Sequence, residues 1–506
     1  MAAPAKLPRA CLFSFLLALA AYLLAGISGI DNSCLDAADS AYLISASAIA
    51  HGAVPYRDFL AAHPPLLYLL GAPLTWLGTG VEPFRVFSLA LQGAVALVTL
   101  FLALRLTRRP PLALLAGVFT LLAPVGVFFS RMFLNDSLSA LLSVAMFLLL
   151  AAGRSRRTAA AAGAVAVLGT LTKLTFLPAL AAGAAFVLLY RRGRGRAPLF
   201  LGVSLGGGAM AAAFAELVTN GGYFRDIFLA QGSKSLSFVN LYQGLERIWQ
   251  FDWPLLLLAL PGIWHCIRVL SRTRRQPAAG HDNGAARAGR ESCALALLWL
   301  GAGLTPLATL PAAGHDINLF QTAEPALALM AAWGVALLAA AVFRLAAGGP
   351  VRLAGGKAAA VAAIILIAVA GAVMVLRDQS FLARSNSADV NRIVAAIRED
   401  SAPDMPVLAP GCYAFQAGRP VAFAYYDQFL WEEKYQRGDA DARAMLDRIR
   451  LDVNQGRIAA VALPEDQPTY LAVRSGLERK YHIYYRSTQW PPLNLWLPDA
   501  RPAVGG

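Results

Sequence analysis

The chain reads Asp36-Ala-Ala-Asp39-Ser-Ala-Tyr42 directly after its first apolar segment, and continues through His51-Gly52-Ala-Val-Pro55-Tyr56-Arg57-Asp58-Phe59 to His63-Pro64-Pro65. This stretch places carboxylates, an arginine and histidine beside a chain that is otherwise very apolar. A charged side chain next to lipid hydrocarbon is energetically costly and usually has a function. We therefore expect the chemistry of this protein to take place at this loop.

The composition is that of a membrane protein with many spans. Hydrophobic residues make up 58% of the 506 residues and charged residues 15%, and the mean hydropathy is +0.54. Soluble domains have roughly 45–50% and 25%, respectively. The apolar runs are about 18–20 residues long, which is the length that an α-helix needs to cross a bilayer. We therefore predict a polytopic α-helical protein with about 11 transmembrane helices.

The net charge of +14 is spread over short basic clusters between the apolar runs. This distribution follows the positive-inside rule and argues against a nucleic-acid-binding surface. With a cytoplasmic N-terminus, every basic cluster falls inside when the helices span 10–28, 84–105, 111–129, 138–153, 158–172, 174–190, 197–217, 253–270, 293–310, 325–343 and 358–376. A cleaved signal peptide is the alternative for the N-terminus. Its apolar run, Ala10–Ile27, exceeds the usual length of about 7–15 residues, so a retained first helix is predicted.

Three segments need separate interpretation. As one helix, Thr158–Tyr190 would be about 50 Å long, against a hydrocarbon core of about 30 Å. We therefore predict a helical hairpin that turns near Thr170–Lys173, with Lys173 outside. The apolar segment Leu66–Leu77 is too short for a span and is predicted to be re-entrant or interfacial. A second large external loop is predicted at about Val218–Phe251.

After about Arg377 the composition becomes that of a soluble domain. Its predicted helices are Ser387–Asp400 and Asp439–Gln455, and its predicted strands are Pro406–Ala409, Ile458–Leu463, Tyr481–Tyr485 and Leu493–Leu497. By the parity of the spans, this small α/β domain is extracytoplasmic. The predicted domains are therefore 1–377, which is the membrane domain with a first external loop at 31–83, and 378–506. Cys34 and Cys412 are the two cysteines predicted outside, so one disulfide is conceivable.

The first external loop resembles that of GT-C-fold glycosyltransferases. The resemblance rests on an acidic residue followed by a tyrosine, a Gly-x-x-Pro-Tyr-x-Asp-Phe run at Gly52–Phe59, and a Pro-Pro-Leu that opens onto an apolar stretch. The nearest relatives by pattern are the protein O-mannosyltransferases and the bacterial lipid A aminoarabinose transferases, which makes the chain similar to glycosyltransferase family 39.

This resemblance implies a GT-C-like membrane domain and an inverting glycosyltransferase. The enzyme would move a hexosyl or pentosyl group from a polyprenyl-phosphate carrier to a lipid, glycan or protein acceptor. The reaction would take place at the outer face of a bacterial inner membrane, with the lipid bilayer and the carrier as partners and no nucleic acid.

Such a transferase needs few chemical groups. Its phosphate leaving group departs without a proton donor, because the second phosphate pKa is about 6. What remains is a carboxylate that takes the acceptor's proton and cations that hold the phosphate. Asp39, three residues before Tyr42, falls at the family's first acidic position and is predicted to be the base. Relatives often carry Asp-Glu there, so with Asp39-Ser40 the second acidic role is absent or has moved to Asp36, which also suits a helix N-cap.

The turn Arg131-Met-Phe-Leu-Asn-Asp136 resembles the family's second acidic position, which lies near the catalytic carboxylate or a metal. Asp136 also suits an N-cap, and a divalent metal is the one cofactor left open. Arg131 and Lys173 are predicted to bind the donor phosphate, with snorkelling to lipid headgroups as the alternative. The weaker phosphate candidates are Arg57, His63, Arg85 and Lys234, and the residues predicted to line the acceptor or lipid-phosphate site are Tyr42, Tyr56, Asp58, His315 and Glu324.

The alternative function is a transporter or flippase of a lipid-linked sugar. A transporter is expected to show inverted repeats and charged, broken helices at the bilayer midplane. Here the ionisable residues are concentrated in external loops, which favours an enzyme at the membrane surface. Asp439-Ala-Asp441 has the Asp-x-Asp spacing of metal sites in nucleotide-sugar transferases. Because it begins a helix in a domain predicted to be extracytoplasmic, we interpret Asp439 as a helix cap.

Overall fold

The computed structural model describes residues 7–34, 37–78, 80–153, 155–190, 196–229, 234–274, 284–312, 316–347, 386–422, 434–436, 438–465, 467–487 and 492–499. In the first part of the chain the helices are α1 Arg9–Ser28, α2 Ala37–Ala50, α3 Leu66–Gly71, α4 Glu82–Thr107, α5 Pro110–Leu121, α6 Pro124–Phe129, α7 Asn135–Ala152, α8 Arg156–Thr170, α9 Leu177–Tyr190, α10 Arg196–Leu201, α11 Gly207–Val218, α12 Gly222–Phe224, α13 Phe238–Arg274, α14 Gly284–Leu304 and α15 Glu324–Ala347. Short 3-10 helices occupy Ala72–Leu77, Leu174–Phe176, Thr305–Thr309 and Ile317–Thr322, and π-helical turns occupy Gly202–Gly206 and Arg225–Leu229.

The membrane-helix class predicted from composition is confirmed. Within the described residues, seven helical segments are long and apolar enough to cross a membrane, judged by length and composition: Arg9–Ser28, Glu82–Thr107, Asn135–Ala152, Arg196–Val218, Phe238–Arg272, Ala286–Thr309 and Glu324–Ala341. Shorter apolar helices at Pro110–Leu121 and Leu174–Tyr190 fall within other predicted spans. The predicted span 358–376 lies outside the described residues, so the number of eleven stays a prediction.

The chain breaks its helix where the hairpin was predicted. Helix α8 ends at Thr170 and α9 begins at Leu177, after a 3-10 turn. Gly169 makes the break compact, since a Cβ there would lie 2.4 Å from the ring of Phe176. Lys173 lies in this break, and its amide donates to the Gly169 carbonyl at 3.1 Å.

The stretch predicted to be the second external loop is partly helical. Helix α13 begins at Phe238, well inside the stretch predicted to be the second external loop. Its first turns contain both polar residues and exposed apolar side chains, such as Phe238, Val239 and Tyr242. This mixed pattern lacks the continuous apolar run by which a span is recognised, although it is compatible with a helix.

The C-terminal part of the described chain is a small α/β unit, as predicted. It contains α16 Ser387–Asp400, α17 Gly411–Ala417, α18 Ala440–Asn454 and α19 Pro468–Lys480, together with β1 Val407–Leu408, β2 Ala460–Leu463, β3 Tyr481–Arg486 and β4 Asn494–Pro498. The strand order is β1-β2-β4-β3, with β1 parallel to β2 and the other pairs antiparallel. Asp439 accepts a hydrogen bond from the amide of Ala442, which confirms that it caps α18.

A disulfide and hydrogen bonds join this unit to the segment that follows α1. Cys34 and Cys412 form a disulfide. The side chain of Asn386 accepts from the Cys34 amide at 2.9 Å and donates to the Cys34 carbonyl at 3.2 Å. Helix α17 packs on α2 so closely that a Cβ at Gly411 would lie 2.8 Å from the backbone oxygen of Ser40. The soluble unit therefore contacts the helix that carries Asp39.

Candidate active site

The candidate residues meet around the loop that joins α6 and α7. This loop begins at Ser130 and ends where α7 starts at Asn135. Its Arg131 side chain reaches back to the end of α1, its Phe133 amide reaches α2, and Asp136 in the first turn of α7 reaches the break between α8 and α9. The few residues from Arg131 to Asp136 thus bring three separate segments of the chain to one buried polar region.

Asp39 is fixed by two groups. It lies in the first turn of α2 with its side chain 1% exposed, and its Oδ1 accepts from the Phe133 amide at 2.8 Å. Its Oδ2 lies 3.6 Å from Nη2 of Arg85. Burial raises the pKa of the Asp39 carboxyl above its ordinary value, while Arg85 and the Phe133 hydrogen bond oppose that rise. An enclosed carboxylate of raised pKa is a stronger base than an exposed one.

Two buried arginines converge on the chain after α1. Arg85, in the first turn of α4, donates to the carbonyl oxygens of Asp31 and Ser33. Arg131 donates to the carbonyl of Gly29 at 2.9 Å. The Asp31 carboxylate lies between them, with Oδ1 3.4 Å from Arg85 Nη1 and Oδ2 3.9 Å from Arg131 Nη2. The structure therefore places Arg85 and Arg131 in one cationic cluster next to Asp39.

Asp136 and Lys173 form a second buried cluster. The Lys173 ammonium lies 2.7 Å from Oδ1 of Asp136, and both side chains are nearly inaccessible. The amide of Asn318 donates to Oδ2 of Asp136 at 2.8 Å. An ammonium and an amide therefore contact both carboxylate oxygens, which leaves Asp136 poorly suited to a metal. In the described chain no group of three or more His, Cys, Asp or Glu side chains could hold a metal ion.

Glu324 lies deeper in the helical bundle, at the start of α15. Its Oε1 accepts from the amide of Gly126 in α6 at 3.2 Å. The carboxyl of Asp252 in α13 is fully buried next to Glu324, and among the described residues neither of its oxygens has a hydrogen-bond partner.

The remaining loop residues include an exposed ion pair and a group of packed rings. Arg57 and Asp58 pair with each other at 2.9 Å and are exposed, and this pairing lowers the pKa of Asp58 to about 2. The Tyr56 hydroxyl donates to the His63 carbonyl at 2.7 Å, and the imidazole of His63 stacks on buried Tyr42, with ring centroids 5.7 Å apart. These side chains lie around the site but are not placed among the two charged clusters.

Of three further predicted residues, one is described. Lys234 is described and half-buried, at the start of the segment leading to α13. Asp36 and His315 lie outside the described residues.

Sequence reasoning missed Asp31 and Asp252 as members of these clusters. Asp31 follows the first apolar segment by only a few residues, and a carboxylate at a membrane boundary was the available signal. Asp252 sits at the start of an apolar run next to Trp253 and Pro254. Its partner Glu324 is 72 residues away, and no local pattern predicts that pairing.

The whole arrangement has the GT-C glycosyltransferase fold. The crystal structure of ArnT from Cupriavidus metallidurans bound to undecaprenyl phosphate matches with a TM-score of 0.64 at 16% identity, covering 95% of this chain and 97% of that one. The crystal structure of the Archaeoglobus fulgidus oligosaccharyltransferase matches with a TM-score of 0.52 at 12% identity, covering 97% of this chain and 74% of that one. The arabinofuranosyltransferase AftD from Mycobacteria matches with a TM-score of 0.53 at 15% identity, covering 96% of this chain and 40% of that one. The sequence itself matches no protein-family model and no curated protein.

Proposed function

We propose that this protein is an inverting glycosyltransferase that takes a sugar from a polyprenyl-phosphate carrier at the outer face of the membrane. The observation that carries this proposal is the buried carboxylate of Asp39 beside two arginines, at the external end of a fold shared over nearly its full length with ArnT. ArnT was solved with undecaprenyl phosphate. A base next to paired cations is the arrangement that transfer from a lipid phosphate requires.

In the proposed reaction the acceptor oxygen attacks the anomeric carbon of the sugar from the side opposite the phosphate. The bond between that carbon and the phosphate oxygen breaks, and its electron pair leaves with the phosphate. Asp39 takes the proton of the acceptor. One displacement of this kind inverts the anomeric configuration, and it needs no covalent enzyme intermediate.

The two charged clusters have different proposed roles, which are phosphate binding and the positioning of Asp39. Arg85 and Arg131 hold the leaving phosphate, since guanidinium groups bind phosphate through paired hydrogen bonds. Lys173 and Asn318 hold Asp136, so that the loop between α6 and α7 keeps the Phe133 amide on Asp39. Tyr42 and His63 are proposed to line the acceptor side, because they stack on each other next to the α2 turn that carries Asp39.

The test uses a deletion strain and the purified protein. In the deletion strain, mass spectrometry of envelope glycolipids and glycans should show one product that has lost a hexose or pentose. Complementation with the wild-type gene should restore the complete product, and complementation with the Asp39→Asn gene should not. With donor and an acceptor extract, the purified protein should convert the polyprenyl-phosphate sugar into polyprenyl phosphate. A flippase would leave the donor chemically intact, so an unchanged donor in this assay would contradict the proposal.

A further inference from the structure

The cationic cluster already contains an anion of its own. Of its four charged side chains, Asp31 is 25% exposed, whereas Arg85, Arg131 and Asp39 are 4%, 6% and 1% exposed. Its carboxylate lies between both guanidinium groups and is the most exposed of the four side chains. Any phosphate that binds these arginines must therefore compete with this carboxylate.

The contacts of Asp31 with the two guanidinium groups are long for charged groups. Its oxygens lie 3.4 Å and 3.9 Å from the two arginine nitrogens, beyond the roughly 2.7–2.9 Å of a charge-assisted hydrogen bond. One oxygen also accepts from the Ser33 amide at 3.0 Å. The arginines do not depend on this carboxylate for their placement, because Arg85 is held by the Asp31 and Ser33 carbonyls and Arg131 by the Gly29 carbonyl.

A donor remains available in the cluster. Among the described residues, Nε of the buried Arg85 has no hydrogen-bond partner. A buried guanidinium N–H without an acceptor costs free energy, and an incoming phosphate oxygen would supply one. The charges agree with this exchange. Two arginines balance Asp31 and Asp39 in the present structure. With the Asp31 side chain turned out to solvent, they would balance Asp39 and the single negative charge of the donor's sugar phosphodiester.

We infer that Asp31 is a built-in phosphate substitute, which holds the charge balance of the donor site when the carrier is absent and is displaced when the carrier phosphate binds. This inference rests on the proposed function, because it assigns the same two arginines to the carrier. Asp31 thereby limits donor affinity and assists release of the spent polyprenyl phosphate, whose departure lets the carboxylate return.

The test measures binding of farnesyl phosphate, a short polyprenyl phosphate, to the purified full-length protein in detergent. Asp31→Asn removes the competing charge and retains the size and the hydrogen-bond acceptor for the Ser33 amide. We expect it to bind farnesyl phosphate about tenfold more tightly than the wild type, and to release it more slowly. Asp447→Asn is the matched control, since Asp447 is an exposed carboxylate in a surface ion pair with Arg450 and carries the same charge change. It should leave binding unchanged.

The outcomes separate this inference from the proposed function. If the wild type binds farnesyl phosphate and Asp31→Asn binds it equally or more weakly, Asp31 serves only to support the arginines and the inference is wrong. If Asp447→Asn tightens binding as much as Asp31→Asn, the effect comes from overall charge and the inference is again overturned. If neither the wild type nor Asp31→Asn binds, the carrier site of the proposed function is wrong as well.

Discussion

Asp39 is held by two groups that act oppositely on its proton. Enclosure favours the neutral carboxyl, while Arg85 and the Phe133 amide favour the carboxylate. Substitution by asparagine keeps the acceptor for Phe133 but removes the base. Loss of a positioned general base costs about 10²–10⁴ in rate. We therefore predict that Asp39→Asn lowers transfer by this factor, measured as sugar released from donor, with insertion near that of the wild type.

The control for this prediction is Asp36→Asn, one helical turn away in the sequence. It should reduce transfer much less, because Asp36 is interpreted chiefly as a helix cap. If Asp36→Asn abolishes transfer and Asp39→Asn does not, the base is Asp36. If neither variant affects transfer, the proposed enzyme loses its main support and the transporter alternative gains it.

The pH dependence follows from the same contacts. A base works when deprotonated, so the rate should rise with pH through the pKa of Asp39, which burial places above its ordinary 3.8. Arg85 lowers this pKa. Arg85→Gln should therefore shift the acidic limb of kcat/KM to higher pH, in addition to weakening donor binding.

The control for the pH prediction is Arg105→Gln, at the other end of the same helix. Arg105 donates to the carbonyl of Ala152 at 2.8 Å and is remote in sequence from the site. It should leave the limb in place. A limb that stays unmoved in Arg85→Gln, or moves to lower pH, would show that Asp39 is not the titrating base.

Lys173 requires a different design, because it is paired. Removing it alone leaves the buried Asp136 carboxylate without its cation, and breaking such a pair costs about 3–5 kcal/mol. We predict that Lys173→Met destabilises the protein by an amount of this order, and that the double variant Asp136→Asn/Lys173→Met recovers most of the loss in thermal unfolding.

The double variant then decides between the proposed role of Lys173, which is to hold Asp136, and the phosphate contact predicted from the sequence. A charged hydrogen bond to phosphate contributes roughly 1.5–3 kcal/mol, which corresponds to about tenfold or more in donor affinity. Arg131→Ala should show a similar loss. Wild-type donor affinity in the stable double variant would mean that Lys173 serves only to neutralise Asp136.

At the scale of elements, the packing of α17 on α2 links the C-terminal unit to the helix that carries Asp39. A Cβ at position 411 would lie 2.8 Å from the Ser40 carbonyl oxygen, which is backbone and moves only with α2. Gly411→Ala should therefore displace the turn that carries Asp39. We predict a loss of transfer of at least tenfold, and a loss of stability of about 1–3 kcal/mol typical of overpacking.

Gly301→Ala is the matched control for this helix–helix contact. Gly301 lies in α14, where an added Cβ meets no atom within 4 Å. The alanine should preserve transfer and slightly favour the helix. Full activity of Gly411→Ala would show that α17 does not position Asp39.

Elements with a strong local pattern were predictable from the sequence. Helix Ser387–Asp400 has an amphipathic period and was predicted with its observed ends, and the four short strands of the C-terminal unit lie where apolar runs between turn signals indicated. The break at 170–173 followed from bilayer thickness and from the requirement that the basic clusters on either side of the hairpin lie on one side of the membrane. The start of α13 at Phe238 was missed because its apolar and polar residues alternate there.

Four members of the two buried clusters were singled out from the sequence, but their pairings were not. Charges next to apolar runs and the family resemblance pointed to Asp39, Arg131, Asp136 and Lys173. Their partners depend on helix packing, since Arg85 meets the Asp31 backbone across 54 residues and Asn318 meets Asp136 across 182. No spacing rule covers such distances. Asp31 lies in neither a motif nor a helix, so its place between two arginines was visible only in the fold.

At the scale of the whole molecule, the disulfide constrains how the chain crosses the membrane. Cys34 and Cys412 are joined, so both lie on the same side, and the chain between them must cross an even number of times. Disulfides persist in oxidising compartments, which favours the outer face. The basic residues before α1 favour a cytoplasmic N-terminus. Both arguments agree with α1 as an outward crossing and with an extracytoplasmic C-terminal unit.

We therefore predict that alkaline phosphatase fused after Arg377 is active, because the enzyme folds only where its own disulfides form. A fusion in the basic stretch after α13, for example after Arg274, should be inactive, since that stretch is predicted to be cytoplasmic. A cytoplasmic reporter at the two positions should give the reverse pattern. This prediction depends on the eleven predicted transmembrane helices. The segment 358–376 must cross the membrane once, so that the number of crossings between Cys34 and Cys412 is even. An active cytoplasmic reporter after Arg377 would place the Cys412 side of the disulfide in a reducing compartment and would move the proposed site away from the outer face.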